Sequence, residues 1–206
     1  MDVQRLAEGL WRWTGIHPDW EPEPEWGVPR EVGSVYVEAE DAVALIDPVI
    51  PSEDRERFLD ALDRDVERAQ RPVAILLTCQ WHRRGAPELA ERYGAEVRAP
   101  GEQFAFGERL PGGIESFDGH FHGEALLWIP AHGTLVSGDV LSVTADGLRV
   151  APDDWLPEAE RGGQIRSSLA FLLDLPVERV LVGHGEAVVA DARDALARAL
   201  HGPIAS

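Results

Sequence analysis

Apolar and polar positions divide this chain into short periodic segments. Leu10–Thr14 alternates apolar and polar residues, and Val35–Ala39 and Ala42–Ile46 carry apolar positions on either side of Glu40–Asp41, which predicts a strand followed by a hairpin. A stripe of Phe58, Leu59, Leu62, Val66 and Ala69 at helical spacing predicts a helix, with Ser52 as its N-cap, Glu53 and Asp54 at the positive end of its dipole, and Pro72 beyond its end. Val73–Leu77 is a continuous apolar run of the buried-strand kind. A short helix near Pro87–Tyr93, a strand at Glu96–Ala99 and a strand-rich section over 113–143, including Ala125–Ile129 and Thr134–Ser137, follow. The last quarter predicts a helix around Ala159–Leu173, a strand at Arg179–Val182, and a helix from Glu186 that turns Val188, Val189, Ala192, Leu196 and Leu200 inward. Strands fall into two halves, each followed by helices, so the expected class is α/β, with two sheets sandwiched between helices in one domain over 1–206.

Composition changes this picture little, and charge changes it more. Asp and Glu number 37 against 19 basic residues, a net charge of −18 over 206 residues; every basic residue is Arg, and Lys and Asn are absent. A surface this acidic repels phosphate backbones and anionic headgroups, so nucleic acid and membrane are not expected partners. Without Lys there is no P-loop or Schiff-base lysine. The single Cys79 cannot form an internal disulfide, and the N-terminus lacks a basic region followed by an apolar core, so the expected compartment is a reducing cytoplasm. Residues 17–29 hold four prolines with Trp20 and Trp26, a stretch too long for a plain turn and expected to form an ordered flap over part of a cleft. His17, at its start, is a further candidate to swing inward as a ligand.

Four groups of polar residues stand at the C-terminal ends of expected strands: Thr78–Arg84, Gly119-His-Phe-His-Gly, Ser137-Gly-Asp and Gly183-His-Gly-Glu. Polar side chains gathered where several strands end are the usual material of an active site on an α/β scaffold. Their order and flanks resemble the metallo-β-lactamase superfamily, including its glyoxalase II and lactonase branches. Val43–Pro48 is similar to the "LIDP" strand end of that family, and Ile75–Thr78 to the strand that leads into its H-x-H-x-D-H motif. Gly119–Gly123 is similar to its G-H-T-P-G segment, Ser137–Val140 to its "GD" turn and Leu181–Glu186 to its closing "GHG". The resemblance implies a four-layer αββα sandwich with the site along one edge, and a hydrolase of an ester, thioester or lactone.

The departure from the motif is equally specific. Laid on H-x-H-x-D-H without a gap, the chain reads Cys79-Gln80-Trp81-His82-Arg83-Arg84. Cys79 then stands at the first ligand, Trp81 at the second, Arg83 at the aspartate and Arg84 at the last histidine, while His82 falls on a spacer expected to face away from the metal. His120, Asp139 and His184 match the later ligands. Guanidinium has no lone pair to give a metal and repels a second cation, so two metals are not expected. Two readings remain open. In one, Cys79, His120, Asp139 and His184 hold a single zinc, with His120, Asp139 and His184 catalytic. In the other, Arg83 or Arg84 replaces the lost cation by pairing directly with Asp139, and the cleft binds a small anionic ligand without metal. Arg83, Arg84, Trp81, His82 and His122 are the candidate substrate-binding residues in both; Cys79 is otherwise a small buried hydrophobe or a nucleophile served by His120 or His184.

Overall fold

The computed structural model describes residues 1–18, 30–151 and 164–202. Trp20, Trp26 and most of the expected flap lie outside the described residues, as does the first part of the helix expected around Ala159–Leu173. His17 is described; its amide donates to Arg30 O at 3.0 Å.

Strands β1 (Val3–Ala7), β2 (Leu10–Ile16), β3 (Glu31–Glu38) and β4 (Val43–Ile46) form an antiparallel meander. Helix α1 (Arg55–Ala69) then crosses over to β5 (Val73–Leu76), which runs parallel to β4, and α2 (Ala86–Tyr93) leads to β6 (Val97–Arg98). The second half supplies β7 (Arg109–Leu110), β8 (Ile114–Asp118), β9 (Ala125–Ile129) and β10 (Thr134–Ser137). A separate hairpin, β11 (Leu141–Thr144) with β12 (Gly147–Val150), precedes α3 (Gln164–Ser168), β13 (Arg179–Val182) and α4 (Ala192–His201). One sheet has the order β1-β2-β3-β4-β5-β6 and the other β13-β10-β9-β8-β7, with β13 parallel to β10.

The period-2 alternation of the strands builds three apolar layers. Val35, Val37, Ala44, Ile46 and Leu76 of the first sheet meet Ile114, Leu127, Ile129, Val136 and Leu181 of the second. The opposite face of the first sheet, with Tyr36, Val43, Leu45 and Ile75, packs on Phe58, Leu59, Leu62 and Leu89 of α1 and α2. Leu126, Trp128, Leu135, Val180 and Val182 of the second sheet pack on Ile165, Leu196 and Leu200 of α3 and α4. Helix, sheet, sheet, helix is therefore the layer order, as the strand pattern implied.

Three expectations need correction. Asp54, not Ser52, precedes α1; it stands in the left-handed region at φ 64 and its side chain makes no cap bond. The last helix begins at Ala192 rather than Glu186: Val188 pairs with Val180 as an isolated bridge, and Val189 is exposed. Apolar residues at 188 and 189 sit too close to a strand to be told from a helix by periodicity. The described part of the helix expected to Leu173 is a short α-helix followed by a 3-10 turn over Ala170–Asp174.

The fold places the site by parallel pairing. Because β5 runs parallel to β4, and β13 to β10, all four strands end on one edge, delivering Asp47, Thr78–Cys79, Asp139 and His184 there. Gly33 N–H donates to Gly183 O at 2.8 Å and Ala125 N–H to Thr78 O at 2.7 Å, which ties the two sheets together at that edge. A Cβ at Gly183 would lie 2.6 Å from Gly138 O, so only glycine lets the two site turns approach. Leu127→Ala, at a fully buried position between the sheets, is expected to lose about 2–5 kcal/mol in denaturant unfolding. Val189→Ala, on the exposed segment before α4, should stay within about 0.5 kcal/mol.

Candidate metal centre

The chemistry gathers around Asp139, whose side chain is 15% exposed. Its Oδ2 accepts from Trp81 Nε1 at 2.9 Å. Its Oδ1 faces His82 Nε2 at 3.3 Å and His184 Nε2 at 3.2 Å, contacts longer than the usual charge-assisted hydrogen bond. Burial works to raise the pKa of Asp139, but His184 and His82 outweigh it and hold the carboxyl well below the usual range.

His82 is turned the opposite way from the spacer expectation. It is 2% exposed and faces Asp139, with Nδ1 2.9 Å from Asp47 Oδ2 and 3.1 Å from Thr78 Oγ1. Alternation fails here because residues 80–84 form turns rather than strand: His82 N–H donates to Cys79 O at 3.2 Å, and Ala86 N–H to Arg83 O at 2.6 Å. Asp47 is itself buried and in the left-handed region at φ 46, accepting from Thr78 N at 2.8 Å and Thr78 Oγ1 at 2.5 Å. With the Thr78 hydroxyl proton given to Asp47, the proton between His82 and Asp47 belongs to Nδ1, leaving Nε2 to face Asp139. Burial lowers the pKa of His82, while Asp47 and Asp139 raise it further than burial lowers it.

Cys79 is fully buried, and burial pushes its thiol up to about 12, with His82 pulling the other way. Ligand atoms of Cys79, His82 and Asp139 all lie within 4.8 Å of one another. Among the described residues this is the cluster of three His, Cys, Asp or Glu side chains able to share an ion. The Nε2–Oδ1 separations support the fit: atoms bound ~2.0–2.1 Å from a tetrahedral ion stand roughly 3.3–3.4 Å apart, whereas charge-assisted hydrogen bonds are about 2.7–2.9 Å. Asp47 behind His82 supplies the carboxylate that orients a ligating imidazole in such sites.

The structure brings together Cys79, Asp139 and His184, the last joining through Asp139, and adds His82. It leaves His120 at the rim, where the ring is exposed, Nδ1 lies 3.5 Å from Asp118 and the backbone is left-handed at φ 54. His122 is exposed, with its ring against Trp81 and Phe121. Trp81 is half-exposed, so it fills no core volume; it holds Asp139 instead.

Neither arginine pairs with Asp139. Arg83 reaches Glu102 at 3.1 Å on the surface. Arg84, left-handed at φ 33, donates Nη1 to Gly33 O at 3.3 Å, and its Nε and Nη2 are buried without a hydrogen-bond partner. Trp81, His82 and His184 already occupy the approaches to Asp139, so the Arg84 charge acts on Asp47 and Asp139 only across a longer distance.

Two residues that the sequence reading did not assign to the site complete the centre. Asp47 shares the signal that identified the others, a polar residue ending an apolar strand. Glu124 gives no such signal, because an acid preceding an apolar run reads as a solvated strand start. It is nevertheless fully buried beneath Asp139. Burial and Asp139 push its carboxyl up to about 7, against the lowering effect of the Asp139 and Val140 amides.

Replacing His82 leaves Asp47 and Asp139 buried without the group between them. His82→Ala is expected to cost about 3–5 kcal/mol in denaturant unfolding of the metal-free protein. Arg83→Ala, which removes an exposed pair, should cost less than about 1 kcal/mol; the reverse order would restore the arginine as Asp139's partner.

No protein-family model and no curated protein matches the sequence. Solved structures do match the fold along nearly the whole chain. The DIM-1 metallo-β-lactamase exposed to ceftazidime is 14% identical, with 97% of this chain and 95% of that chain covered and a TM-score of 0.67. A metallo-β-lactamase from Hirschia baltica is 15% identical over 97% of this chain and 96% of that chain, with a TM-score of 0.64. FIM-1 from Pseudomonas aeruginosa, in its mono-zinc form, is 13% identical over 97% and 94%, with a TM-score of 0.63. The chain therefore has the metallo-β-lactamase fold.

Proposed function

We propose that this protein is a hydrolase that works with one thiophilic divalent ion and acts on an ester, thioester or lactone bearing an anionic group. The observation that supports it most is the buried Asp139 Oδ1, which faces two imidazole nitrogens at 3.2–3.3 Å, longer than the usual charge-assisted hydrogen bond, beside the Cys79 thiol. Cys79, His82 and Asp139 would hold the ion, with His184 at the open side. When bound, such an ion supplies a water activated near neutral pH and polarises a carbonyl. A thiolate among the ligands favours zinc over magnesium or calcium. FIM-1, one of the solved structures of this fold, is described in a mono-zinc form.

The chain's own residues do the rest. Asp47 fixes the His82 tautomer, so that Nε2 presents a lone pair. Trp81 holds Asp139 Oδ2 and leaves Oδ1 facing inward. Arg84 keeps an unpaired positive charge near Asp47 and Asp139, suited to a substrate carboxylate or a developing oxyanion. Trp81 and His122 form an aromatic rim for the substrate body. Arg83 engages Glu102 and is a weaker candidate for the same contact.

A second reading rests on a different observation. His82 is buried with Nδ1 2.9 Å from Asp47 and Nε2 3.3 Å from Asp139, and two carboxylates so placed raise its pKa and favour an imidazolium in a metal-free protein that binds a small anion.

Metal analysis of protein purified without chelator separates the two. The hydrolase reading expects about one zinc per chain, and in the cobalt-substituted protein a thiolate-to-cobalt charge-transfer band that is lost in Cys79→Ser. Metal-free protein that takes up no cobalt contradicts it and leaves the anion-binding reading. Asp47→Asn should weaken metal binding about 10–100-fold while leaving Cys79, His82 and Asp139 in place. Asp139→Ala should abolish both metal binding and hydrolysis; turnover that survives it places the chemistry elsewhere.

A further inference from the structure

Glu124, immediately before β9, is fully buried. Its Oε1 accepts from Ser137 Oγ and Gly138 N–H, each at 2.9 Å, and its Oε2 from the amides of Asp139 and Val140, each at 2.8 Å. Three successive amides converging on one anion make a backbone nest of the kind that binds phosphates and other oxyanions. Here the anion is part of the chain. Ser137 Oγ in turn accepts from Leu141 N–H at 3.0 Å, so its own proton is committed to Glu124.

Four donors therefore converge on the two oxygens, and only the ionised carboxylate accepts all four, so the nest favours that form against the burial that pushes the carboxyl up to about 7. A glutamine at this position would turn an NH2 toward two amide N–H groups and leave buried donors unpaired. The same residue closes the neighbouring loop through its backbone: Gly119 N–H donates to Glu124 O at 2.9 Å, and Glu124 N–H to Phe121 O at 2.7 Å. One residue thus ties the loop that carries His120 and His122 to the turn that carries Asp139. That turn has no slack on its other side, since a Cβ on Gly138 would overlap Thr78 Oγ1 and lie 3.0 Å from His82 Cε1.

We infer that Glu124 is the positioning residue of the centre: through the amides of residues 138–140 it sets where the Asp139 carboxylate stands against Trp81, His82 and His184. Its functional meaning rests on the reading that Asp139 belongs to the working centre, but its geometry does not depend on a metal or a substrate.

The Trp81 indole N–H, bonded to Asp139 Oδ2, reports that geometry directly. In 15N-labelled protein, with the Trp81 resonance assigned through Trp81→Phe, Glu124→Gln should shift it upfield by at least about half of the displacement seen in Asp139→Ala. Glu124→Asp, which keeps four lone pairs on a shorter arm, should recover part of the shift. Leu62→Ala, destabilised in the layer between the first sheet and α1 and away from this turn, should leave the resonance in place and so separates positioning from a general loss of stability. In the wild-type protein the amides of Gly138, Asp139 and Val140 should exchange with solvent far more slowly than that of the exposed Asp146. An unmoved Trp81 resonance in folded Glu124→Gln, or fast exchange of the three wild-type amides, overturns the inference. If Glu124→Gln does not fold, wild-type exchange and Glu124→Asp decide. Because neither readout involves metal or turnover, absence of zinc or activity would count against the proposed function and leave this inference standing.

Discussion

The centre is organised by one carboxylate withdrawn from water. Asp139 stands among side chains that are almost all buried, and an ionised carboxylate there costs several kcal/mol unless positive charge or donors surround it. Trp81 supplies one donor, and the two imidazoles of His82 and His184 supply the facing nitrogens. Asp47 then stabilises His82 from behind, and Thr78 holds Asp47 through both its amide and its hydroxyl. Every group in this chain lies at the end of a strand or in the turn that follows it, which makes the parallel pairs β4–β5 and β10–β13 the structural condition for the site.

Two buried acids sit close together, and the structure treats them differently. Asp139 is the group offered to the centre, with one oxygen facing the two imidazoles at 3.2–3.3 Å. Glu124 is saturated, with four donors on its two oxygens. The saturated acid fixes the backbone of the other. Arginines enter this arrangement less directly than their position in the motif suggests. Arg12, buried in β2, bonds Gly185 O at 2.5 Å and so steadies the turn that carries His184. Arg84 bonds Gly33 O and contributes charge from a distance.

Much of this was legible in the sequence. Alternation at Leu10–Thr14, the hairpin pattern about Glu40–Asp41 and the apolar runs at Val73–Leu77 and Ala125–Ile129 marked strands of both sheets, and the polar residues ending strands marked Cys79, Asp139 and His184. The motif resemblance supplied the order in which those strand ends meet. What escaped was local. An ungapped reading of Cys79–Arg84 assumed strand-like alternation, whereas hydrogen-bonded turns there rotate His82 inward and carry the guanidiniums away from Asp139. His120 matches the motif by position, but a left-handed backbone and Asp118 hold it at the rim. Glu124 was invisible because its burial depends on a hydroxyl and three amides from a turn 13 to 16 residues further along the chain.

What lies between His82 and Asp139 decides whether the centre holds a metal ion. Long-range 1H–15N correlation of the His82 ring at neutral pH, in protein purified without chelator, reads this directly. A metal-sharing pair predicts a proton on Nδ1, toward Asp47, and none on Nε2, with the Nε2 shift changing when the ion is removed. Protons on both nitrogens of His82, unchanged by chelator, would show a buried ion pair between two carboxylates and contradict the metal centre.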